Sequence, residues 1–169
     1  ERLAYAASLT KRQGEPDVLR FLDDTLGKAP LPVPWIMCRG RDGGRLFFAN
    51  RATGERSWTH PLELSLKELA GICRLCLTLP GAMRESCVST LQRTWEDEAN
   101  REFGMWYAVR SEGGQVYHCH GQTGERTWGH PVEVKLPGHQ MKIKALELLR
   151  DEGYVAKLQA LAAAAASPA

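Results

Sequence analysis

The strongest constraint on this chain is that part of it is written twice. Residues 53–58 read Thr-Gly-Glu-Arg-Ser-Trp and residues 123–128 read Thr-Gly-Glu-Arg-Thr-Trp. One residue, then His-Pro, then an aliphatic residue and Glu follow each copy. The offset is 70 from Gly54 to Gly124, from Trp58 to Trp128 and from Pro61 to Pro131. Both copies extend upstream in the same style. Trp35 stands 23 residues before Trp58, and Trp106 stands 22 before Trp128. A unit repeated at this spacing reads as one small structure made twice.

Each copy reads as a sheet. Copy one holds Leu46-Phe47-Phe48-Ala49-Asn50 and copy two holds Val116-Tyr117-His118-Cys119-His120, both rich in strand formers. The glycine pairs ahead of them, Gly43-Gly44 and Gly113-Gly114, suit the positive-φ positions of a hairpin turn. Thr53-Gly54 and Thr123-Gly124 make a second turn. The expectation is a three-stranded antiparallel meander of roughly thirty residues, made twice.

The surroundings read as helix. Pro16 fits a first helical position and Gly27 the residue past a helix end, with Leu19, Leu22 and Leu26 on one face. Leu66, Leu69, Cys73 and Cys76 mark the next face, and Pro80-Gly81 breaks that pattern. Met83, Cys87, Leu91 and Trp95 form an i, i+4 row beyond it. From about Met141 a further long helix follows, weakened at Gly153. The fold class is therefore α+β, two small three-stranded antiparallel sheets embedded among helices. The expected divisions are an N-terminal helical segment 1–29, a first sheet module 30–63, a helical connector 64–103, a second, degenerate module 104–134 and a C-terminal helix 135–169.

Composition narrows the function classes. The 22 basic and 20 acidic residues leave a formal charge of +2, which gives no general pull toward nucleic acid or an anionic membrane. The apolar run Leu161 to Ala166 is far too short to span a bilayer, and no signal peptide is visible at the start. The five cysteines are odd in number and not spaced as a disulfide framework, which points to a reducing, cytoplasmic setting.

The residues of copy one, Leu31-Pro32, Trp35, Phe47-Phe48, Asn50, Thr53-Gly54, Trp58 and Pro61, resemble the WW-domain signature. Copy two is similar to it through Trp106, Tyr117, Thr123-Gly124, Trp128 and Pro131. Residues 3–61, through Glu15-Pro16-Asp17, Leu19, Leu22, Ala29-Pro30-Leu31-Pro32 and Trp35, also resemble the helix-plus-WW arrangement of centriolar and ciliary proteins, distal-appendage or axonemal. That second resemblance implies a cilium, axoneme or centriole as the location.

The WW resemblance implies a division of labour. Pro32, Trp35, Phe48, Asn50 and Pro61 make the small core of copy one, and Trp106, His118 and Pro131 that of copy two. Phe47 and Trp58, and in copy two Tyr117 and Trp128, stand on the other face as a slot for a polyproline II segment, whose prolines are ridged, apolar and already ordered. Ala49, Arg51 and Arg56 line the first slot, and Cys119 and Arg126 the second. Alternation along a strand agrees that Phe47 and Phe48 cannot share a face. Arg51 and Gly121 stand where the family often has a histidine for tyrosine-ended ligands, so such ligands are not expected. Arg51 and Arg56 suit acidic or phosphorylated ligands, or are ordinary solvated arginines.

Copy two departs further. His118 and His120 replace the core aromatic and the Asn, and Gly104-Met105 replaces Leu-Pro. A half-polar core is weak alone, so copy two is expected to lean on its helices. The blander reading buries Trp128 against a helix, where it binds nothing.

Other constellations are weaker. Cys73 and Cys76 with His118-Cys119-His120 hint at a metal, but the cysteine pair sits at helical spacing on an apolar face, and buried free cysteine is common. His60 and His130 read as local packing residues. No phosphate-cradling loop, nucleophile motif or nucleotide fingerprint is present in the sequence. The expectation is a non-enzymatic structural scaffold without cofactor, metal or catalytic residues, whose partners are proteins, either neighbouring subunits of a ciliary or cytoskeletal assembly or proline-rich segments, and neither nucleic acid nor membrane. The rival is an adaptor that captures proline-rich peptides reversibly through Phe47/Trp58 and Tyr117/Trp128.

Overall fold

The computed structural model describes residues 15–29, 31–32, 34–41 and 44–166. Expectations that touch residues 1–14, Pro30, Gly43 and 167–169 lie outside these. Among the described residues, five helices and two separate three-stranded antiparallel sheets follow one another. Helix α1 spans Pro16–Lys28. Strands β1 (Trp35–Arg39), β2 (Leu46–Asn50) and β3 (Arg56–Ser57) make the first sheet. Helices α2 (Glu63–Thr78) and α3 (Gly81–Gly104) lead to the second, built of β4 (Trp106–Arg110), β5 (Val116–His120) and β6 (Arg126–Thr127). Helices α4 (Pro131–Arg150) and α5 (Glu152–Ala166) complete the chain. The α+β class and the two meanders are as the repeat predicts.

The helices share one core. Val18, Phe21 and Leu22 of α1, Leu66, Leu69, Cys73 and Cys76 of α2, Val88 and Trp95 of α3, Met141, Leu146 and Leu149 of α4 and Leu158 of α5 are buried together. No strand residue belongs to this cluster among the described residues. The segment 64–103 is thus part of the body as well as a connector. Polar clasps lock the helices in place. The Arg74 guanidinium forks onto the Glu15 carboxylate at 2.9 and 2.8 Å. Tyr154 Oη donates to Asp24 at 2.8 Å. The buried Arg84 reaches Glu152 at 2.6 Å and the Leu79 carbonyl at 3.2 Å.

Several expected boundaries move, each for a physical reason. Helix α1 runs through Gly27 to Lys28, and Ala29 then turns extended (φ −117°, ψ 115°), as a residue preceding proline prefers. Its buried face centres on Val18, Phe21, Leu22 and Thr25, while Leu19 and Leu26 flank it. In α3, Met83 is 58% exposed, and the buried face runs through Arg84, Val88 and Trp95. A strict i, i+4 row drifts about 40° per step, so it cannot stay on one face for four turns. Helix α4 begins at Pro131, four residues before the expected division at 135 and ten before the pattern from Met141, because proline suits the first helical position. Pro137 lies inside it and withdraws one donor. The break into α5 falls at Asp151, not Gly153, because Asp151 Oδ1 accepts the Tyr154 N–H at 3.0 Å and caps the new helix.

Candidate functional site

The two sheets repeat each other bond for bond. In the first, Trp35 pairs with Asn50, Ile36 with Ala49 and Cys38 with Phe47. In the second, Trp106 pairs with His120, Tyr107 with Cys119 and Val109 with Tyr117. Paired residues share a face. One face of the first sheet therefore carries Ile36, Cys38, Phe47, Ala49 and Arg56, and the same face of the second carries Tyr107, Val109, Tyr117, Cys119 and Arg126. Ile36, Cys38, Tyr107 and Val109 were not expected there. The first strand's alternation, read against the second, is the signal that places them.

The second turn is built identically. Gly54 (φ 75°) and Gly124 (φ 71°) take the left-handed conformation that a Cβ would strain. Gly54 N–H donates to the Asn50 carbonyl at 2.8 Å, and Gly124 N–H to the His120 carbonyl at 3.0 Å. Asn50 Oδ1 accepts the N–H groups of Ala52 and Thr53 at 2.9 and 3.1 Å. His120 Nδ1 accepts those of Gln122 and Thr123 at 3.2 and 3.1 Å. The imidazole substitutes for the amide, so the replacement that looked like decay keeps its function. In the first turn of the second sheet, Gly114 takes φ 82°.

The opposite faces hold small cores. Phe48 is fully buried, with His60 edge-on to it at 5.1 Å. Pro32 is buried, and Trp35, Asn50 and Pro61 are half-buried. His60 Nδ1 accepts the Leu62 N–H at 3.0 Å. Burial pushes its pKa down to about 4, with Glu63 opposing. In the second sheet, Trp106 and His118 are half-buried and Pro131 is buried. Trp106 and His120 meet edge-on at 5.1 Å, and His118 lies 4.8 Å from His130. His118 Nδ1 is buried without a hydrogen-bond partner.

The helices brace the second sheet where the first has Pro32. Trp106 Nε1 donates to Glu102 Oε1 at 3.3 Å, and His120 Nε2 lies 3.4 Å from Glu102 Oε2. Lys135 of α4 joins the same carboxylate, and its ammonium sits 5.4 Å over the Trp106 ring. The Lys135 hydrogen bond, with those of Trp106 and His120, holds the Glu102 carboxyl below the usual carboxylate range.

Above the Phe47–Ala49 face each sheet holds a pair of aromatic rings. Phe47 and Trp58 meet edge-on at 6.2 Å, and Tyr117 and Trp128 at 5.6 Å. Trp58 is 57% exposed and Trp128 68% exposed. The reading that buries Trp128 against a helix is overturned by that exposure. Tyr117, Arg126, Thr127 and Trp128 line a cleft of about 290 Å³. Arg56 stands 5.7 Å over Phe47, as Arg126 does over Tyr117. Arg45, which sequence reasoning missed, stands 4.9 Å over Trp58. Gln115 occupies its place in the second copy. Ala49 is half-buried on the slot face, and Arg51 is exposed at the turn. Cys119 is only 7% exposed, so it offers a ligand far less surface than the slot role assumed. The first slot has the shorter Ala49 at the matching position.

Cys73, Cys76 and the 118–120 segment do not converge. Among the described residues no group of three His, Cys, Asp or Glu side chains is placed to hold a metal ion. Burial pushes the Cys73 thiol up and raises Cys76 to about 11, so neither is a thiolate near neutrality. No described helix is long and apolar enough to cross a membrane. Set against known proteins, the chain matches no family model and no curated protein.

Proposed function

We propose that the chain is a non-enzymatic protein-interaction scaffold whose two sheets are WW modules, each capturing a proline-rich segment in its aromatic slot. The observation that carries the reading is the exposure of Trp58 and Trp128, each beside a partner ring on one sheet face. Exposed aromatic pairs of this kind accept a polyproline II ridge with little loss of ligand entropy. The second slot adds the Tyr117 hydroxyl, a donor for a ligand carbonyl, which Phe47 cannot supply.

The test is a panel of proline-rich peptides titrated against the whole chain. Micromolar binding is expected, weakened at least tenfold per slot by Trp58→Ala and Trp128→Ala and abolished by both. If the intact chain binds none of the panel at about 1 mM, a ceiling that corresponds to barely 4 kcal/mol of affinity, capture is ruled out. As location we propose a ciliary or centriolar assembly, supported by the resemblance of residues 3–61. A tagged chain spread evenly through the cytoplasm of a ciliated cell would count against it.

A further inference from the structure

The two slots share geometry but not charge. Between Pro34 and Pro61 the first module holds Arg39, Arg41, Arg45, Arg51 and Arg56 against Asp42 and Glu55. Between Trp106 and His130 the second holds Arg110 and Arg126 against Glu112 and Glu125. The first is strongly basic and the second is neutral. Arg45 lies over Trp58 at 4.9 Å and Arg56 over Phe47 at 5.7 Å, so both rings of the first slot carry a guanidinium. In the second slot Gln115 stands in the place of Arg45, and among the described residues the one guanidinium over a slot ring is Arg126 over Tyr117.

Arg45, Arg51 and Arg56 are in no ion pair with a carboxylate among the described residues. Arginines packed into the helical body are paired: Arg74 with Glu15, Arg84 with Glu152 and Arg150 with Glu85. A guanidinium resting on an aromatic face is pre-oriented, and its N–H edge remains available to fork onto a carboxylate. Resting on the slot reading above, we infer that the first slot selects a proline-bearing peptide flanked by Asp or Glu, whereas the second slot is indifferent to that charge.

The experiment titrates three peptides of equal length and proline content, flanked by Glu, by Gln or by Lys, against the intact chain and against Trp58→Ala, Trp128→Ala and Arg45→Gln/Arg56→Gln. At about 0.1 M salt the Glu-flanked peptide is expected to bind Trp128→Ala roughly tenfold more tightly than the Gln-flanked one, the yield of two exposed Arg–carboxylate pairs. The Lys-flanked peptide should bind it more weakly. The preference should vanish in about 1 M salt and in the double arginine variant. In Trp58→Ala, which leaves only the second slot, the three peptides should bind alike. Equal binding of Glu- and Gln-flanked peptides through Trp58 would overturn the charge inference and leave the slots standing. Binding of no proline peptide at all would remove both. Two further outcomes also overturn it: a Glu-rich peptide without proline that binds as tightly, which is plain charge attraction, and a gain seen only when phosphoserine replaces Glu.

Discussion

The first module should open in mild acid because of one histidine. His60 is buried against Phe48, and its Nδ1 accepts the Leu62 N–H. Burial lowers its pKa from 6.5 to about 4. In the unfolded chain the imidazole takes a proton as pH falls below about 6.5, while the folded one resists until about 4. Between these values the proton favours the unfolded module. The stabilisation is therefore complete above pH 6.5 and declines as pH falls toward 4. Linkage over that window gives a loss of about 2 kcal/mol by pH 5 and about 3 kcal/mol below pH 4. Amide hydrogen exchange in β1 and β2, compared with β4 and β5 at pH 7 and pH 5, reads the opening locally. His60→Gln keeps an acceptor for Leu62 N–H and does not titrate, so the difference from the parent isolates the histidine. An identical pH dependence in the two proteins, or a His60 ring that titrates near 6.5 in a folded sheet, refutes the reasoning.

Three other perturbations probe the second module and the body. His118→Phe removes a buried, unpartnered nitrogen and recreates the Phe48–His60 pairing; it should stabilise the second sheet by about 1 kcal/mol in hydrogen exchange, and a loss would mean that His118 has a partner in solution. Glu102→Ala strips Trp106, His120 and Lys135 of one shared acceptor and should lower protection of β4 and β5 by about 1–2 kcal/mol while leaving α1 and α2 unchanged. Glu152→Ala should cost about 2 kcal/mol in urea unfolding and Arg84→Met under about 1 kcal/mol, because the first strands a buried guanidinium and the second leaves a carboxylate that water already reaches; equal costs would deny that asymmetry.

What the sequence made legible was periodic or repeated. Both meanders follow from strand patterning and the Thr-Gly turns, and the buried row of α2 is the one its spacing predicts. What it hid was decided by groups far apart in the chain. Met83 lies in a regular row, yet the body buries Arg84 instead, because Glu152 waits 68 residues later. Helix α4 runs through Pro137, a residue that argues against helix in the sequence wherever tertiary packing does not override it. Arg45 was missed since only the fold brings it over Trp58.

The second module shows why a repeat can lose its signature residues and keep its shape. Its turn needs one acceptor beneath two N–H groups, and Asn50 and His120 both provide it. The substitution adds a condition that the amide does not carry. Nδ1 accepts only when unprotonated, so the proton of a neutral His120 belongs on Nε2, which faces Glu102. Glu102 also receives Trp106 and Lys135, so the tautomer that forms the turn is the one that ties the sheet to α3 and α4. The first module carries its proline clasp and a fully buried Phe48, and is held together from within. The second has exchanged part of that core for a polar anchor in the helical body, so its turn and its brace depend on the same imidazole and carboxylate.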